Sequence, residues 1–262
     1  EVSSLFTKDQ KVLLHGVTGS GKTEIYIHLI EKQLKKNKKV LYLLPEIAIT
    51  TQIIQRLQSY FGKKVGVYHS RFNISERTEL WYAMMDEKLH KYDIILGARS
   101  SVFLPFKNLG LIIVDEEHES SYKQFDPSPR YHARDVASKL SQMYQANLLL
   151  GSATPSMEMM HLVKEKKIGY VVLDKRFHDI PMPEIQCADL KQAYKKRKMV
   201  GIFTPLLLEN IQTTLKANKQ VILFQNRRGY APREMCMVCS WTPTCKKCDV
   251  SLTIHKYQPI LK

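Results

Sequence analysis

Gly16-Val17-Thr18-Gly19-Ser20-Gly21-Lys22-Thr23 follows the apolar run Val12-Leu13-Leu14 and leads into a helical pattern, and this strand, loop and helix setting decides the fold. Glycines at both ends of the loop let the backbone wrap a polyphosphate, and successive N–H groups at a helix N-terminus point at the anion. The segment therefore reads as a nucleoside triphosphate site for ATP or GTP, lined by Gly16, Val17, Thr18, Gly19, Ser20, Gly21, Lys22 and Thr23. Lys22 is expected to reach the terminal phosphates and Thr23 to hold Mg²⁺. The alternative is a Gly-rich turn without a ligand, which the flanking strand and helix make the weaker reading.

Outward from this loop, β-branched or Leu-rich runs alternate with longer helical patterns. The strand candidates are Val12–His15, Val40–Leu44, Val65–His69, Ile94–Gly97, Leu111–Val114, Leu148–Gly151 and Tyr170–Leu173. Lys22–Lys36, Ile47–Phe61, Ser75–Leu89, Arg134–Gln145 and Met157–Lys166 have the length and period of helices. The alternation predicts an α/β fold with a doubly wound parallel sheet, whose ligands sit at the carboxyl ends of the strands. The phosphate loop, Asp115 and Gly151 all fall at that edge. From Lys175 to Met199 the character changes, with Pro181, Pro183 and the basic run Lys195-Lys196-Arg197-Lys198, and this stretch reads as a connector. Beyond it, Phe203–Leu215 is amphipathic and Val221–Phe224 reads as a buried strand.

The composition, 44% hydrophobic over 262 residues, is that of a globular chain large enough for a substantial core. The sequence has neither an apolar run of about 18 residues nor a basic-then-apolar N-terminus, which predicts no membrane association and a cytoplasmic setting. Forty Lys and Arg against 25 Asp and Glu give a net charge of +15, which favours a polyanionic partner. Four of the five cysteines lie between Cys236 and Cys248, a clustering that points to metal rather than disulfides. Cys236, Cys239, Cys245 and Cys248 form two CxxC pairs, the donor set of a closed tetrahedral Zn²⁺ site with a structural role. Cys187 is expected to be an inert buried thiol.

The apolar run Leu111-Ile112-Ile113-Val114 delivers Asp115-Glu116-Glu117-His118 to the edge that carries the phosphate loop. Asp115 would hold Mg²⁺ through its water shell, and Glu116 would orient and deprotonate the attacking water. His118 is placed to hydrogen-bond toward Gly151-Ser152-Ala153-Thr154 at the end of a later strand, which would make His118, Ser152 and Thr154 a coupling group.

Asp-Glu-Glu-His resembles the DExH box of superfamily-two helicases, and Ser152-Ala153-Thr154 resembles their Ser-Ala-Thr motif. More narrowly, the phosphate loop, Leu44-Pro45-Glu46-Ile47, the stretch 115–123 and Asn226-Arg227-Arg228-Gly229-Tyr230-Ala231-Pro232 together resemble the PriA family of bacterial primosomal replication-restart helicases. That resemblance implies a RecA-like lobe one over residues 1–174, an interlobe connector over 175–200, the start of lobe two over 201–232 and part of a zinc module over 233–262. It implies ATP, Mg²⁺ and Zn²⁺ as cofactors. The implied partners are single-stranded and forked DNA, primosome proteins and single-stranded-DNA-binding protein. Pro45–Thr51 and Gly97-Ala98-Arg99-Ser100 match motifs that face single-stranded DNA, which makes Arg99 a DNA contact. The segments 121–125 and 130–134 match an aromatic-rich loop linking DNA contact to hydrolysis. Their chemistry agrees, since Tyr122, Phe125 and Tyr131 can stack on bases while Lys123, Arg130 and Arg134 grip phosphates. An ordinary surface loop with aromatic anchors packing down is the competing reading.

The chain departs from that family in three places. Relatives carry eight zinc cysteines for two ions against four here, the arginine finger of lobe two is missing, and Gln10 lies too close to the first strand to read adenine. The chain is therefore read as a fragment, expected to bind nucleotide weakly and hydrolyse it at a near-background rate. Two other functions stay open, a zinc-stabilised nucleic-acid-binding module with a merely structural nucleotide site, and a double-strand translocase or RNA helicase on the same fold. Glu116 argues against the first, because a binding module has no need of a general base beside Asp115.

Overall fold

The structure, a computed structural model, describes residues 2–6, 10–45, 48, 51–69, 72–86, 91–224, 241–242, 254–255 and 258–261. It divides into two compact units, residues 1–182 and 183–262.

In the first unit the elements run in chain order α1 (Val2–Leu5), β1 (Lys11–Gly16), α2 (Lys22–Leu34), β2 (Lys39–Leu43), α3 (Thr51–Phe61), β3 (Val65–Tyr68) and α4 (Ile74–Met85). There follow β4 (Ile94–Gly97), β5 (Leu109–Asp115), α5 (Ala133–Tyr144), β6 (Asn147–Ser152), α6 (Met157–Lys164) and β7 (Gly169–Leu173). All seven strands pair in parallel in the order β3-β4-β2-β5-β6-β1-β7. The expected doubly wound sheet is present. Each predicted strand appears within a residue or two of its bounds.

The strands read as continuous apolar runs because both faces of the sheet are covered. Alternate residues feed two separate cores. Leu13, Leu41, Leu43, Ile112, Val114, Leu148 and Leu150 pack with residues of α4, α5 and α6. Val12, Leu14, Val40, Tyr42, Leu111, Ile113 and Leu149 pack with residues of α1, α2 and α3. Each such fully buried aliphatic side chain contributes roughly 1.5–3 kcal/mol. The period of two has a functional consequence: Asp115 continues the parity of Leu111 and Ile113, and Gly151 that of Leu149, so both come to the α2 side of the sheet.

Local chemistry sets the helix starts. The Asn73 side chain accepts from the Glu76 N–H at 2.8 Å while the Glu76 carboxylate accepts from the Asn73 N–H at 3.0 Å, a reciprocal cap for α4. Gln10, expected not to read adenine, serves the fold. Its side-chain amide donates to the carbonyls of Ser141 at 2.7 Å and Ala146 at 3.2 Å, where α5 ends and β6 begins.

The first unit reaches Met182, past the expected boundary at Asp174, because the chain after β7 returns to the phosphate loop: the Phe177 N–H donates to the Gly19 carbonyl at 2.9 Å. The second unit contains α7 (Leu190–Lys195), capped by Asp189, α8 (Pro205–Lys216), capped by Thr204, and the antiparallel pair β8 (Ile254–His255) and β9 (Gln258–Leu261). Two expectations fail here. Val221–Phe224 forms no strand, and Ile222 and Phe224 are 93% and 83% exposed; a buried strand needs partners for its backbone, and none pairs with it among the described residues. Cys187 is exposed rather than buried, on a stretch outside any helix or sheet. Among the described residues no helix is long and apolar enough to cross a membrane.

Candidate nucleotide site and its neighbouring loop

β1 ends at Gly16, and the chain turns into α2 through Gly19 and Gly21 at φ of 80° and 85°. That left-handed backbone is open to glycine at no steric cost. A Cβ on Gly16 would meet Ser20 Oγ at 2.7 Å and Lys22 Cγ at 3.0 Å, so the first glycine is required by closeness rather than by its dihedral. The loop is anchored from below, with the Val17 N–H donating to the Leu173 carbonyl at 3.0 Å and the Ser20 N–H to the Val17 carbonyl at 3.1 Å. Lys22 Nζ donates to the Gly16 carbonyl at 2.7 Å, which arches the cation over the loop. Ser20 Oγ and Arg176 Nε are buried beside this loop without a hydrogen-bond partner among the described residues. Buried polar atoms left over in this way call for an acceptor. The donor set fits a polyphosphate.

Two strands away, β5 ends at Asp115, in register with Gly151 of β6. Tyr26 of α2 donates its hydroxyl to Asp115 Oδ1 at 2.9 Å and Tyr42 of β2 donates to Asp115 Oδ2 at 3.2 Å. The Glu116 N–H donates to Oδ1 at 3.1 Å, and the Tyr122 hydroxyl donates to the Asp115 backbone carbonyl at 2.6 Å. Burial raises the Asp115 carboxyl above its usual range, opposed first by the hydrogen bond from Tyr26 and also by the charge of Lys22. Burial and then the Asp115 charge push all three phenols well above their ordinary value, which keeps them protonated donors.

Glu116 stands at φ 48°, and its side chain is 40% exposed with Oε2 3.7 Å from His118 Nδ1. His118 Nδ1 lies 2.8 Å from Ser152 Oγ, and His118 Nε2 lies 3.4 Å from Thr154 Oγ1. Thus β5 and β6 are tied at their carboxyl ends as expected. Glu117, fully buried, turns the other way: it accepts from the Ser156 N–H at 2.7 Å, Ser156 Oγ at 2.9 Å and Arg134 Nη1 at 2.7 Å.

The loop between Glu119 and His132 is held mainly from within. Arg99 Nη1 donates to the Lys123 carbonyl at 2.9 Å, Lys123 Nζ to the Arg130 carbonyl at 2.9 Å, and the Gln124 N–H to the Tyr131 carbonyl at 2.9 Å. Tyr131 packs edge-on against Phe103, ring centroids 4.7 Å apart, while Phe125 is 68% exposed.

Residues 1–162 match the sequence model of the DEAD/DEAH box helicases. The chain belongs to that family. It is 41% identical over 262 residues to Replication restart protein PriA of Bacillus subtilis (strain 168), covering 99% of this chain and 32% of the relative. Against Replication restart protein PriA of Haemophilus influenzae (strain ATCC 51907 / DSM 11121 / KW20 / Rd) the identity is 43% over 250 residues, covering 95% and 33%. The chain thus spans about a third of the length of these curated relatives. Among solved structures it is similar to RecG bound to a three-way DNA junction, at 18% identity and TM-score 0.45, covering 73% of this chain and 25% of that one. The Pyrococcus furiosus Hef helicase domain gives the same identity and TM-score, covering 82% and 46%.

In this DEAD/DEAH box chain, the phosphate loop, Asp115, Glu116, His118, Ser152 and Thr154 share the carboxyl edge of one sheet. Two residues assigned to DNA stand elsewhere. Tyr122 is 1% exposed with its hydroxyl bound to backbone, and Arg134 is paired with buried Glu117, so neither ring nor guanidinium faces outward. Arg99 binds loop backbone, whereas Lys123, Arg130 and Tyr131 remain at or near the surface. The four zinc-type cysteines and the motif at 226–232 lie outside the described residues, as do Glu46, Ile47, Ile49 and Thr50 of the stretch 45–51. Sequence reasoning missed Tyr26, Tyr42 and Glu117. The signal for Tyr42 was a phenol in an otherwise aliphatic buried run, and Tyr26 showed only as a phenol on the apolar face of an amphipathic helix.

Proposed function

We propose that this chain is the nucleotide-binding core of an ATP-dependent DNA helicase or translocase acting in the cytoplasm in replication restart at stalled or branched forks, with primosome assembly. The observation that carries the proposal is the single sheet edge holding the phosphate loop, Asp115, Glu116 and the His118–Ser152 link, in a chain 41% identical to a protein named for replication restart. Lys22 and the loop N–H groups would hold the ATP phosphates, and Thr23 and Asp115 would hold Mg²⁺, which supplies charge neutralisation when bound. Glu116, exposed beside them, orients and deprotonates water. His118, Ser152 and Thr154 carry the state of that edge to its neighbours, and the exposed part of the 119–132 loop, chiefly Phe125 and Arg130, lies along the DNA path; primosome proteins and single-stranded-DNA-binding protein are partners of the whole protein.

ATP hydrolysis by the full-length protein, measured with single-stranded DNA, forked DNA and RNA, tests the proposal. Stimulation by the two DNAs and not by RNA is expected, and a rate indifferent to all three would refute it. Cys236, Cys239, Cys245 and Cys248 are proposed to hold one structural Zn²⁺. Native mass spectrometry should then find one zinc per chain, and two or none would contradict the assignment.

A further inference from the structure

α2 begins at the phosphate loop and carries Lys22, Thr23 and Tyr26 within its first turns. Residues three and four apart share one helix face. Tyr26 therefore lies beneath the two residues proposed to meet phosphate and Mg²⁺. Its hydroxyl crosses the end of β6 to reach Asp115 on β5, and it can do so only because residue 151 is glycine: a Cβ there would overlap the Tyr26 hydroxyl. Tyr42 approaches the same carboxylate from β2, on the far side of β5 from β6, and donates to the other oxygen. The two rings meet edge to face, with centroids 5.6 Å apart, and both are fully buried. Asp115 thus has one phenol on each carboxylate oxygen.

We propose that Tyr26 and Tyr42 are positioning residues for Mg²⁺: the pair fixes the plane of the Asp115 carboxylate, and Tyr26 also locks it to the helix that carries Thr23. The inference rests on the reading of this edge as a Mg²⁺-nucleotide site. A free carboxylate at a strand end rotates about its Cβ–Cγ bond, and each rotation moves the acceptor that the metal's water shell must meet. With Oδ1 accepting from Tyr26 and the Glu116 N–H and Oδ2 accepting from Tyr42, one acceptor position of the carboxylate, on Oδ2, is left at a fixed orientation for the metal's water shell. Outer partners that orient a metal-holding group are worth about 10–100-fold in metal affinity where they have been removed. Neither phenol touches the metal, so removing one should leave metal-free nucleotide binding intact.

The test is a titration of a fluorescent ADP by the full chain, at increasing Mg²⁺ and in EDTA, for the wild type, Tyr26→Phe, Tyr42→Phe and Lys22→Ala. Tyr26→Phe is expected to raise the Mg²⁺ midpoint by about tenfold or more, Tyr42→Phe by less because its bond is longer, and both should keep the wild-type affinity in EDTA within about twofold. An unchanged Mg²⁺ midpoint in both variants overturns the clamp, as does an equal loss of affinity with and without Mg²⁺, which a merely structural role would give. Should Tyr26→Phe not fold, Tyr42→Phe carries the same comparison. If wild-type binding ignores both Mg²⁺ and Lys22→Ala, the underlying nucleotide reading fails instead.

Discussion

The strand end at Asp115 and the loop from Glu119 to His132 are neighbours in the chain, and both are rich in aromatic and charged residues, yet they use them in opposite ways. At the strand end, side chains hold a side chain: two phenols grip one carboxylate, and the surrounding core fixes both rings. In the loop, side chains mostly hold backbone. Arg99 and Lys123 donate to loop carbonyls, and Tyr122 donates to the carbonyl of Asp115. A basic or aromatic residue is thus a poor indicator of contact with nucleic acid where the backbone has no sheet or helix to satisfy it, because loop carbonyls then take their donors from nearby side chains. What remains for a partner is the part of the loop that does no holding, chiefly Phe125 and Arg130.

The sharpest way to break this contrast is Arg134→Ala. Glu117 is fully buried and Arg134 nearly so, and removing one member of such a pair leaves an uncompensated charge. Loss of about 3–5 kcal/mol in urea unfolding is expected. A variant with wild-type stability and weakened DNA binding would return Arg134 to the surface role. Next, Phe125→Ala should weaken single-stranded DNA by about 1–3 kcal/mol without lowering the melting temperature, since that ring is exposed and can stack. Equal affinity of variant and wild type in a fluorescence titration would move the DNA path off this loop. Gly151→Ala should cost about 1–3 kcal/mol as its methyl displaces the Tyr26 hydroxyl. Stability within error of wild type would mean that Tyr26 can reach Asp115 by another route. Gln10→Ala, measured by thermal melting, should cost only about 1 kcal/mol for its bonds at the end of α5. A loss several times larger would show that this junction also supports the nucleotide edge.

The sheet was legible in the sequence because a parallel strand buried on both faces is a near-continuous apolar run, and each of the seven runs from Val12 to Leu173 is bounded by polar residues, glycine or proline. The same runs put the phosphate loop, Asp115 and Ser152 at one edge before any coordinates. Val221–Phe224 has the same appearance without the same outcome, because an apolar run becomes a buried strand only when neighbours pair with it. The phenol clamp was hidden for another reason. It joins residues 89 and 73 positions apart in sequence, and its key residue, Gly151, contributes by lacking a side chain. The Glu117–Arg134 pair was concealed because Glu117 sat in a motif without a role of its own and Arg134 already had a DNA role assigned, and only burial separates the charge that braces from the charge that binds.

The carboxyl edge at Lys22, Asp115 and Glu116 is proposed to turn over ATP in response to DNA. The test is to measure ATP binding and hydrolysis in parallel, with and without single-stranded DNA, for the full-length wild type and its Glu116→Gln variant. The account predicts that the variant binds ATP as the wild type does while its DNA-stimulated hydrolysis falls by roughly 10²–10⁴-fold. Hydrolysis at the wild-type rate in Glu116→Gln would contradict it.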